Sequence, residues 1–247
     1  TGDIVEVGPG VKNLKIGDKV FVHHHVACGE CYYCVRGSET LCDLFLTTNI
    51  EPCGFSEYFK VPKVNVEKGG VIKLEGIDYE EGTFIEPLAC CIRNLKKCEF
   101  KEGERVMVIG CGVMGLLHIL LLKELGASSI YALDLLSFRL NKAKEFGANH
   151  AFYPSEEFKD LKVDLAIVAT GNKKAFLQAL NFLRKGGRIS LFGAPFKGSF
   201  VELDLSHIFI NEIKIIPSYS ASEKEIELAY KIIKDKKIKV KNLITHR

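Results

Sequence analysis

The sequence of 247 residues contains no apolar run long enough to span a bilayer. The longest candidate, residues 116–122, contains His118 and is followed by two charged residues. No secretory signal pattern is visible either, although the chain opens at Thr1, in a strand-like stretch, with no initiator methionine. We therefore expect no association with a membrane.

The sequence also lacks an excess of either charge. The 34 basic and 31 acidic residues leave a formal net charge of +3, which makes no electrostatic case for nucleic acid or an anionic membrane as partner. Solenoid repeats and low-complexity linkers are absent as well. A hydrophobic fraction of 47% and this length predict one large or two modest globular domains.

The nine cysteines do not suit a framework of disulfides, because an odd number cannot all be paired. Four of them, Cys28, Cys31, Cys34 and Cys42, follow the spacing C-x2-C-x2-C-x7-C. Four thiolates at these spacings can surround one Zn²⁺ tetrahedrally, and a zinc ion without an open position is structural. An iron–sulfur cluster, a redox-active pair and unligated thiols are the alternatives. Metal-holding thiols indicate a reducing, cytoplasmic location.

Turn residues and short β-branched runs dominate up to about residue 85, whereas buried strands and helices alternate afterwards. That alternation predicts a parallel sheet covered on both faces. Strands are predicted at residues 4–7, 19–22, 106–109, 130–133, 164–169, 188–192 and 213–216. Helices are predicted at residues 113–125, 173–183 and 222–236, with another running through residue 144 and ending before Gly147. The last helix begins with a capping box, Ser222 to Glu225.

A G-x-G-x-x-G motif lies between an apolar strand and a helix, which is the context that a dinucleotide site requires. Gly110 permits the tight turn, and Gly112 lets the backbone approach a pyrophosphate. Gly115 lets the helix pack closely against the strand. The amides of Val113 and Met114, at the positive end of the helix dipole, are predicted to bind the phosphates.

An acidic residue ends the next strand, at the spacing that the motif predicts for a ribose ligand. The Asp134 carboxylate can accept hydrogen bonds from both ribose hydroxyls and would repel a 2′-phosphate, which favours NAD over NADP. The alternative for Asp134 is a plain helix N-cap. Arg139 can stack on adenine, accept a phosphate or be an ordinary surface cation.

The cysteine spacing and the glycine motif, in this order, resemble the zinc-containing medium-chain alcohol and polyol dehydrogenases. Further segments carry the resemblance over essentially the whole chain: T-G-D-I-V-E-V-G at 1–8, G-D-K-V at 17–20, G-F-S-E-Y at 54–58 and E-P-L at 86–88. The last of these is similar to the sorbitol and threonine dehydrogenase branch. The resemblance implies an α/β fold, with a Rossmann doubly wound parallel sheet beside a mainly β, GroES-like catalytic domain that carries a structural zinc lobe.

The resemblance also implies a division of the chain into domains. Residues 1–87 would form the N-terminal part of the catalytic domain, with the zinc lobe at about 28–42. Residues 88–217 would form the NAD-binding domain, and 218–247 would return to the catalytic domain. In the family a cysteine and a His-Glu pair upstream of the first motif bind a catalytic zinc. These have no counterpart here, so we expect a chain truncated at both ends and inactive as it stands, or else a divergent shortened protein.

Several single residues acquire roles only through the resemblance. Glu86 is the one catalytic-zinc ligand that carries over, although Glu-Pro also commonly starts a helix. His24 and His25 are similar to the stretch that lines the substrate pocket, as walls or proton shuttles. Three successive strand histidines alternate in direction, so His23, His24 and His25 cannot all meet one ion, and a histidine without a role is the alternative.

Three short segments beyond the ends of predicted strands complete the implied cofactor site. Thr170 and Gly193 resemble residues that hold the ribose and the nicotinamide amide, and Ser218 resembles a residue that completes the nicotinamide pocket. Each lies where an open α/β sheet binds its ligand, and each could equally be part of an ordinary turn.

The function implied is oxidation of a secondary alcohol or polyol, with hydride transfer to NAD. In the family, zinc acts as a Lewis acid on the substrate hydroxyl. A homodimer or homotetramer is implied, with a small-molecule alcohol as the substrate. A zinc-free quinone or enone reductase of the same superfamily and a nucleotide-binding module without catalysis are the alternatives.

Overall fold

The computed structural model describes residues 1–52, 54–156 and 160–246, and the chain divides into two compact units. Unit 1 comprises Thr1–Cys90 and Ser220–Arg247, and unit 2 comprises Cys91–Tyr219. Within the described ranges, no helix combines the length and the apolar character needed to cross a membrane.

The strands and helices follow one another along the chain in two contrasting patterns. The strands are β1 (Gly2–Asp3), β2 (Lys19–Val22), β3 (Val71–Lys73), β4 (Arg105–Ile109), β5 (Ser129–Leu133), β6 (His150–Phe152), β7 (Val163–Val168), β8 (Leu183–Leu191) and β9 (Lys214–Pro217). The helices are α1 (Asp43–Thr47), α2 (Lys63–Glu67), α3 (Tyr79–Gly82), α4 (Ile85–Lys97), α5 (Val113–Glu124), α6 (Ser137–Phe146), α7 (Lys173–Asn181), α8 (Leu205–Ile210) and α9 (Glu223–Lys234).

Unit 1 contains an antiparallel sheet in the order β1-β2-β3 and, at its C-terminal end, helix α9. The predicted capping box is confirmed: Ser222 is the N-cap of α9, and its backbone amide donates to the Glu225 carboxylate. The predicted strand at residues 4–7 is wrong. The pairing with β2 stops at Ile4, because the opposite chain turns away at Gly17, where φ is +86°. Val5 is consequently 59% exposed.

Unit 2 contains a parallel sheet with the order β6-β5-β4-β7-β8-β9 in the described part of the chain. Counted from β4, this is the order 3-2-1-4-5-6 of a Rossmann sheet, in which both halves start at the central strands. The central strands β4 and β7 are almost wholly buried, as a sheet covered on both faces requires. The predicted α/β class with a doubly wound parallel sheet is confirmed.

One boundary in unit 2 was misplaced. Helix α7 was predicted to continue to residue 183, but it ends at Asn181, and Leu183 already belongs to β8. Leu183 pairs with Val163 of β7, and this pairing makes it a strand residue although the sequence predicts a helix there. Strand β8 therefore begins five residues earlier than residue 188 and is irregular between its two paired stretches.

Candidate functional site

The glycine motif forms the turn from β4 into α5. Gly110 has φ +95°, in the left-handed region that favours glycine, and its amide donates to the Leu133 carbonyl at 2.8 Å. A Cβ on Gly115 would lie 1.9 Å from the carbonyl oxygen of Gly110. The first turn of α5 is thus in direct contact with the loop, and only glycine at position 115 allows this approach.

Gly112 differs from the other two glycines of the motif. A Cβ placed on it would meet no atom of the described protein within 4 Å, and its φ of −67° is open to any residue. It is the N-cap of α5 and, as a glycine, has no side chain that could cap this helix end. The free amides of a helix N-terminus and the open space at Gly112 fit a phosphate group that approaches the backbone closely.

Asp134 lies at the end of β5 and is 7% exposed. Its Oδ2 accepts a hydrogen bond from the amide of Cys111 at 2.7 Å, and its Oδ1 accepts one from the amide of Leu136 at 2.9 Å. Arg139 places Nη1 at 3.6 Å from Oδ2. The alternative of a helix N-cap is wrong, because Leu136 is the N-cap of α6. The Asp134 carboxylate is instead hydrogen-bonded to the glycine loop, and its oxygens retain lone pairs that can accept further hydrogen bonds.

The three remaining cofactor candidates lie beyond neighbouring strand ends. A Cβ on Gly193 would come within 2.4 Å of the Thr170 backbone, so the segments that follow β7 and β8 touch each other. The amide of Ser218, after β9, donates to the Leu191 carbonyl at 3.3 Å. Its Oγ is buried and has no hydrogen-bond partner among the described protein atoms. An orphaned hydroxyl here fits a polar ligand group, because buried polar groups are normally paired.

The four cysteines of the predicted zinc lobe converge on one point. Their sulfur atoms all lie within 4.8 Å of one another. The Sγ–Sγ distance is 3.8 Å between Cys28 and Cys34 and 3.5 Å between Cys31 and Cys34. Zn–S bonds of about 2.3 Å in a tetrahedron require sulfur separations of roughly 3.8 Å, so the arrangement fits one zinc ion.

The surroundings of this cluster give its thiols different pKa values. Burial raises the pKa of the Cys34 thiol to about 12. Burial also opposes ionisation of Cys42, but backbone amides of Cys28, Phe45 and Leu44 outweigh it and lower the pKa to about 6. Amides of residues 30 and 31 point at the Cys28 sulfur, at 3.5 and 3.3 Å. Amide donors of this kind stabilise thiolates and orient them as metal ligands.

Glu86 lies in the first turn of α4 and is partly buried. Its Oε1 accepts a hydrogen bond from the Cys90 thiol at 3.1 Å. The helix begins at Ile85, so Pro87 occupies its third position and not its first. In the described ranges, the zinc-lobe cysteines are the one group of three or more ligand side chains close enough to hold a metal. Glu86 is therefore a single candidate ligand, and the described residues do not by themselves form a catalytic zinc site.

The three successive histidines have different surroundings. His23 is 1% exposed, neither ring nitrogen has a partner among the described residues, and burial lowers its pKa to about 3. Burial and the neighbouring His25 also lower the pKa of His24. His25 Nδ1 is 2.6 Å from the Thr48 carbonyl, which can only accept, so Nδ1 carries the proton. This leaves Nε2 of a neutral His25 as a proton acceptor.

His24, but not His25, lines a cavity of about 310 Å³ within unit 1. Its other lining residues are Thr1, Val22, Asn49, Ile50, Gly54 and Phe59. Asn49 and Phe59 belong to no motif in the sequence that predicts a site residue. The nearby G-F-S-E-Y segment is the only sequence signal that could have indicated them.

Comparison with known proteins agrees with this geometry. The family profile of the alcohol dehydrogenase GroES-like domain matches residues 1–71, and that of the zinc-binding dehydrogenases matches residues 113–235. The L-threonine 3-dehydrogenase of Pyrococcus furiosus is 32% identical over 260 residues, covering 100% of this chain and 72% of that protein. The sorbitol dehydrogenase of Bacillus subtilis is 32% identical over 225 residues, covering 87% of this chain and 62% of that protein.

A solved structure, the alcohol dehydrogenase of Thermus sp. ATN1, superposes with a TM-score of 0.86 at 26% identity. The superposition covers 99% of this chain and 76% of that one. The chain spans between 57% and 72% of the length of the curated relatives it matches. Both domain profiles, the shared fold and the 32% identity to a relative of which the chain covers 72% lead to one conclusion: this chain belongs to the zinc-binding, medium-chain alcohol and polyol dehydrogenase family.

Proposed function

We propose that the protein transfers a hydride between a secondary alcohol or polyol and NAD. The observation that carries this proposal is the loop from Gly110 to Gly115, with Asp134 bonded to its Cys111 amide. Open space at Gly112 and an uncapped helix end lie at the same place. This combination suits a pyrophosphate and an adjacent ribose.

In this proposal the chain binds and orients the cofactor, and bound NAD supplies the hydride acceptor at its nicotinamide ring. The amides of Val113 and Met114 hold the pyrophosphate, and Asp134 accepts hydrogen bonds from the adenosine ribose. Thr170 and Gly193 hold the nicotinamide half, and the buried Ser218 hydroxyl finds its partner there. The donors are fixed by backbone geometry before the ligand arrives, so little reorganisation is needed.

NAD is preferred over NADP because Asp134 would face the 2′-phosphate with a negative charge. Arg139 lies 3.6 Å from the Asp134 carboxylate and is engaged by it, which leaves this cation less available to a 2′-phosphate. Its side chain is 45% exposed, so it can also stack on an adenine ring from the solvent side. We therefore assign the ribose to Asp134 and an adenine contact to Arg139.

The four cysteines are proposed to hold a structural zinc ion, because all four positions of a tetrahedron are filled by protein sulfur. The same feature disfavours the alternative of a zinc-free quinone reductase. Reduced, metal-holding thiols suit the cytoplasm, which we propose as the location.

The substrate is proposed to be a hydroxyl-rich alcohol that enters the cavity beside His24. A depressed pKa keeps the His24 ring neutral, so it can accept a hydrogen bond from a hydroxyl group. His25 lies outside this wall, with its ring centroid 4.0 Å from that of His24, and is proposed to relay protons to and from His24. Among the relatives, those named as sorbitol and D-arabinitol dehydrogenases act on hydroxyl-rich alcohols, whereas the one named as L-threonine 3-dehydrogenase acts on an alcohol with one hydroxyl group. Glu86 is proposed as a ligand of a catalytic zinc.

A homodimer or homotetramer is proposed as the oligomeric state. Strand β9 ends the sheet, and no further strand pairs with it in the part of the chain that the structure describes. Helix α8 precedes it, and Leu205, Phe209 and Ile210 on this helix are 73, 84 and 69% exposed. An unpaired edge beside exposed apolar side chains is a surface that a second copy can cover.

The test separates cofactor binding from turnover. NADH and NADPH are titrated into this chain by fluorescence, and NAD reduction is then followed for the whole protein with sorbitol, arabinitol and threonine. We expect saturable NADH binding, weaker NADPH binding and turnover of at least one of these alcohols. Binding without turnover of any alcohol would favour the non-catalytic nucleotide module, and the absence of binding would refute the proposal.

A further inference from the structure

A chain of buried polar side chains lies beneath the nucleotide loop of unit 2, and its central residue is Asn94 of α4. Asn94 is 0% exposed. Its Oδ1 accepts a hydrogen bond from Ser190 Oγ of β8 at 2.6 Å, and its Nδ2 lies 3.0 Å from His118 Nε2 of α5. The Cys98 thiol is a further donor to Oδ1, at 3.7 Å. One amide thus joins two helices and a strand.

The protonation of His118 follows from its partners. His118 is 0% exposed, and its Nδ1 lies 2.8 Å from the Met114 carbonyl oxygen, which can only accept. Nδ1 therefore carries the proton, and Nε2 accepts from Asn94. Burial lowers the pKa of His118 to about 4, which agrees with a neutral ring. The Cys91 thiol, 3.4 Å from Nδ1, is the other titratable group at the ring.

The His118 end of this network contacts two segments to which the cofactor is assigned. Its Nδ1 donates to Met114, which lies in the first turn of α5, between Gly112 and Gly115. Its ring also stands edge-on to Phe192, with ring centroids 4.6 Å apart, and Phe192 immediately precedes Gly193. The pyrophosphate loop and the segment assigned to the nicotinamide half thus share one buried support.

We propose that Asn94 and His118 are positioning residues that hold the first turn of α5 in register with the end of β8, and so set the affinity for the dinucleotide. They act through Met114 and Phe192 without touching the cofactor. The inference rests on the proposed NAD site. A fully buried network is rigid only while every member is paired, so a break at one member frees the others.

The variants distinguish this role from general stabilisation. Asn94→Leu removes both links, and His118→Gln keeps an acceptor for Asn94 but loses the donor to Met114. Asn94→Asp keeps the acceptor for Ser190 and reverses the other link, because a protonated His118 can donate to it while Nδ1 still donates to Met114. Leu122→Ala is the matched control: Leu122 is 0% exposed and lies in the same helix, about 12 Å from Met114 at 1.5 Å per residue.

The readouts are the NADH dissociation constant, the melting temperature without cofactor and the ¹⁵N NMR signals of the His118 ring. We expect Asn94→Leu and His118→Gln to weaken NADH binding about 10-fold, and Asn94→Asp to stay within about threefold of the wild type. Asn94→Asp should also show a doubly protonated His118 ring at neutral pH. Leu122→Ala should lower the melting temperature and leave the affinity unchanged.

Each outcome is decisive. If the wild type binds NADH and both link-breaking variants bind it equally well, the positioning role is refuted. The same holds if affinity merely follows melting temperature across all four variants, the control included. If one link-breaking variant does not fold, the other gives the result. A wild type that does not bind NADH refutes the proposed function itself, which is a different result.

Discussion

Alanine should have different effects at the two glycine positions 112 and 115: at 115 it should lower the stability of the protein, and at 112 it should lower the affinity for NADH. At Gly115 the new Cβ would lie 1.9 Å from the Gly110 carbonyl oxygen, a backbone atom that cannot rotate away. At Gly112 the new Cβ would have no protein neighbour within 4 Å, and the backbone dihedrals suit alanine. One added methyl group therefore tests packing at position 115 and ligand access at position 112.

The magnitudes follow from these contacts. To restore a normal separation of about 3.2 Å or more, α5 must move away from the loop by more than 1 Å, and such overpacking costs about 1–3 kcal/mol. For a chain of this size, each kcal/mol lowers the melting temperature by about 2–4 °C. Gly115→Ala should therefore melt roughly 2–12 °C below the wild type. Gly112→Ala should melt with the wild type but bind NADH at least about 10-fold more weakly, a loss of ~1.4 kcal/mol.

Differential scanning calorimetry and NADH fluorescence titration on the purified chain measure the two effects. Gly17→Ala is unsuitable as a control because φ is +86° there, whereas Gly8→Ala meets no neighbour within 4 Å and should change neither quantity. A Gly112→Ala protein that binds NADH as tightly as the wild type would refute the assignment of the pyrophosphate to this loop. An unchanged melting temperature for Gly115→Ala would refute the packing argument.

Three further outcomes are expected. Elemental analysis should find zinc in the wild type and in Cys98→Ala but not in Cys42→Ser; zinc in both variants would contradict the assigned ligands. Asp134→Asn should weaken NADH binding about 10-fold and narrow the preference over NADPH, and an unchanged ratio of the two affinities would contradict the ribose contact. His23→Phe should make the free energy of unfolding depend less steeply on pH in acid. The pKa of His23 is lowered to about 3 from 6.5, so the unfolded chain binds the extra proton between these values and stability falls as pH decreases through this window. The variant's slope in urea titrations should be smaller by up to one proton, ~1.4 kcal/mol per pH unit, and an identical slope would contradict it.

The glycine loop and the strands around it could be predicted because their signals are local. A short apolar run followed by glycines at this spacing predicts a strand, a tight loop and a helix, and the structure has β4, the loop and α5 in that order. The cysteine cluster was predictable for the same reason, since all four ligands fall within a short stretch of chain. The capping box of α9 also depends on two residues three positions apart.

Other features depend on partners far away in the sequence and were missed or misplaced. Residues 4–7 have a strand-like composition, but whether they pair depends on where β2 begins. Leu183 is a good helix residue that becomes a strand residue because Val163 pairs with it. The three histidines look equivalent in the sequence. Only the fold determines that the His23 ring is buried, with no hydrogen-bond partner for its nitrogens among the described residues, while His24 faces a cavity.

The most direct test of the account is a crystal structure of this chain with NADH. We expect the pyrophosphate oxygens within hydrogen-bond distance of the Val113 and Met114 amides, and both ribose hydroxyls on the Asp134 carboxylate. Density for the dinucleotide elsewhere, or a ribose turned away from Asp134, would contradict the proposed site.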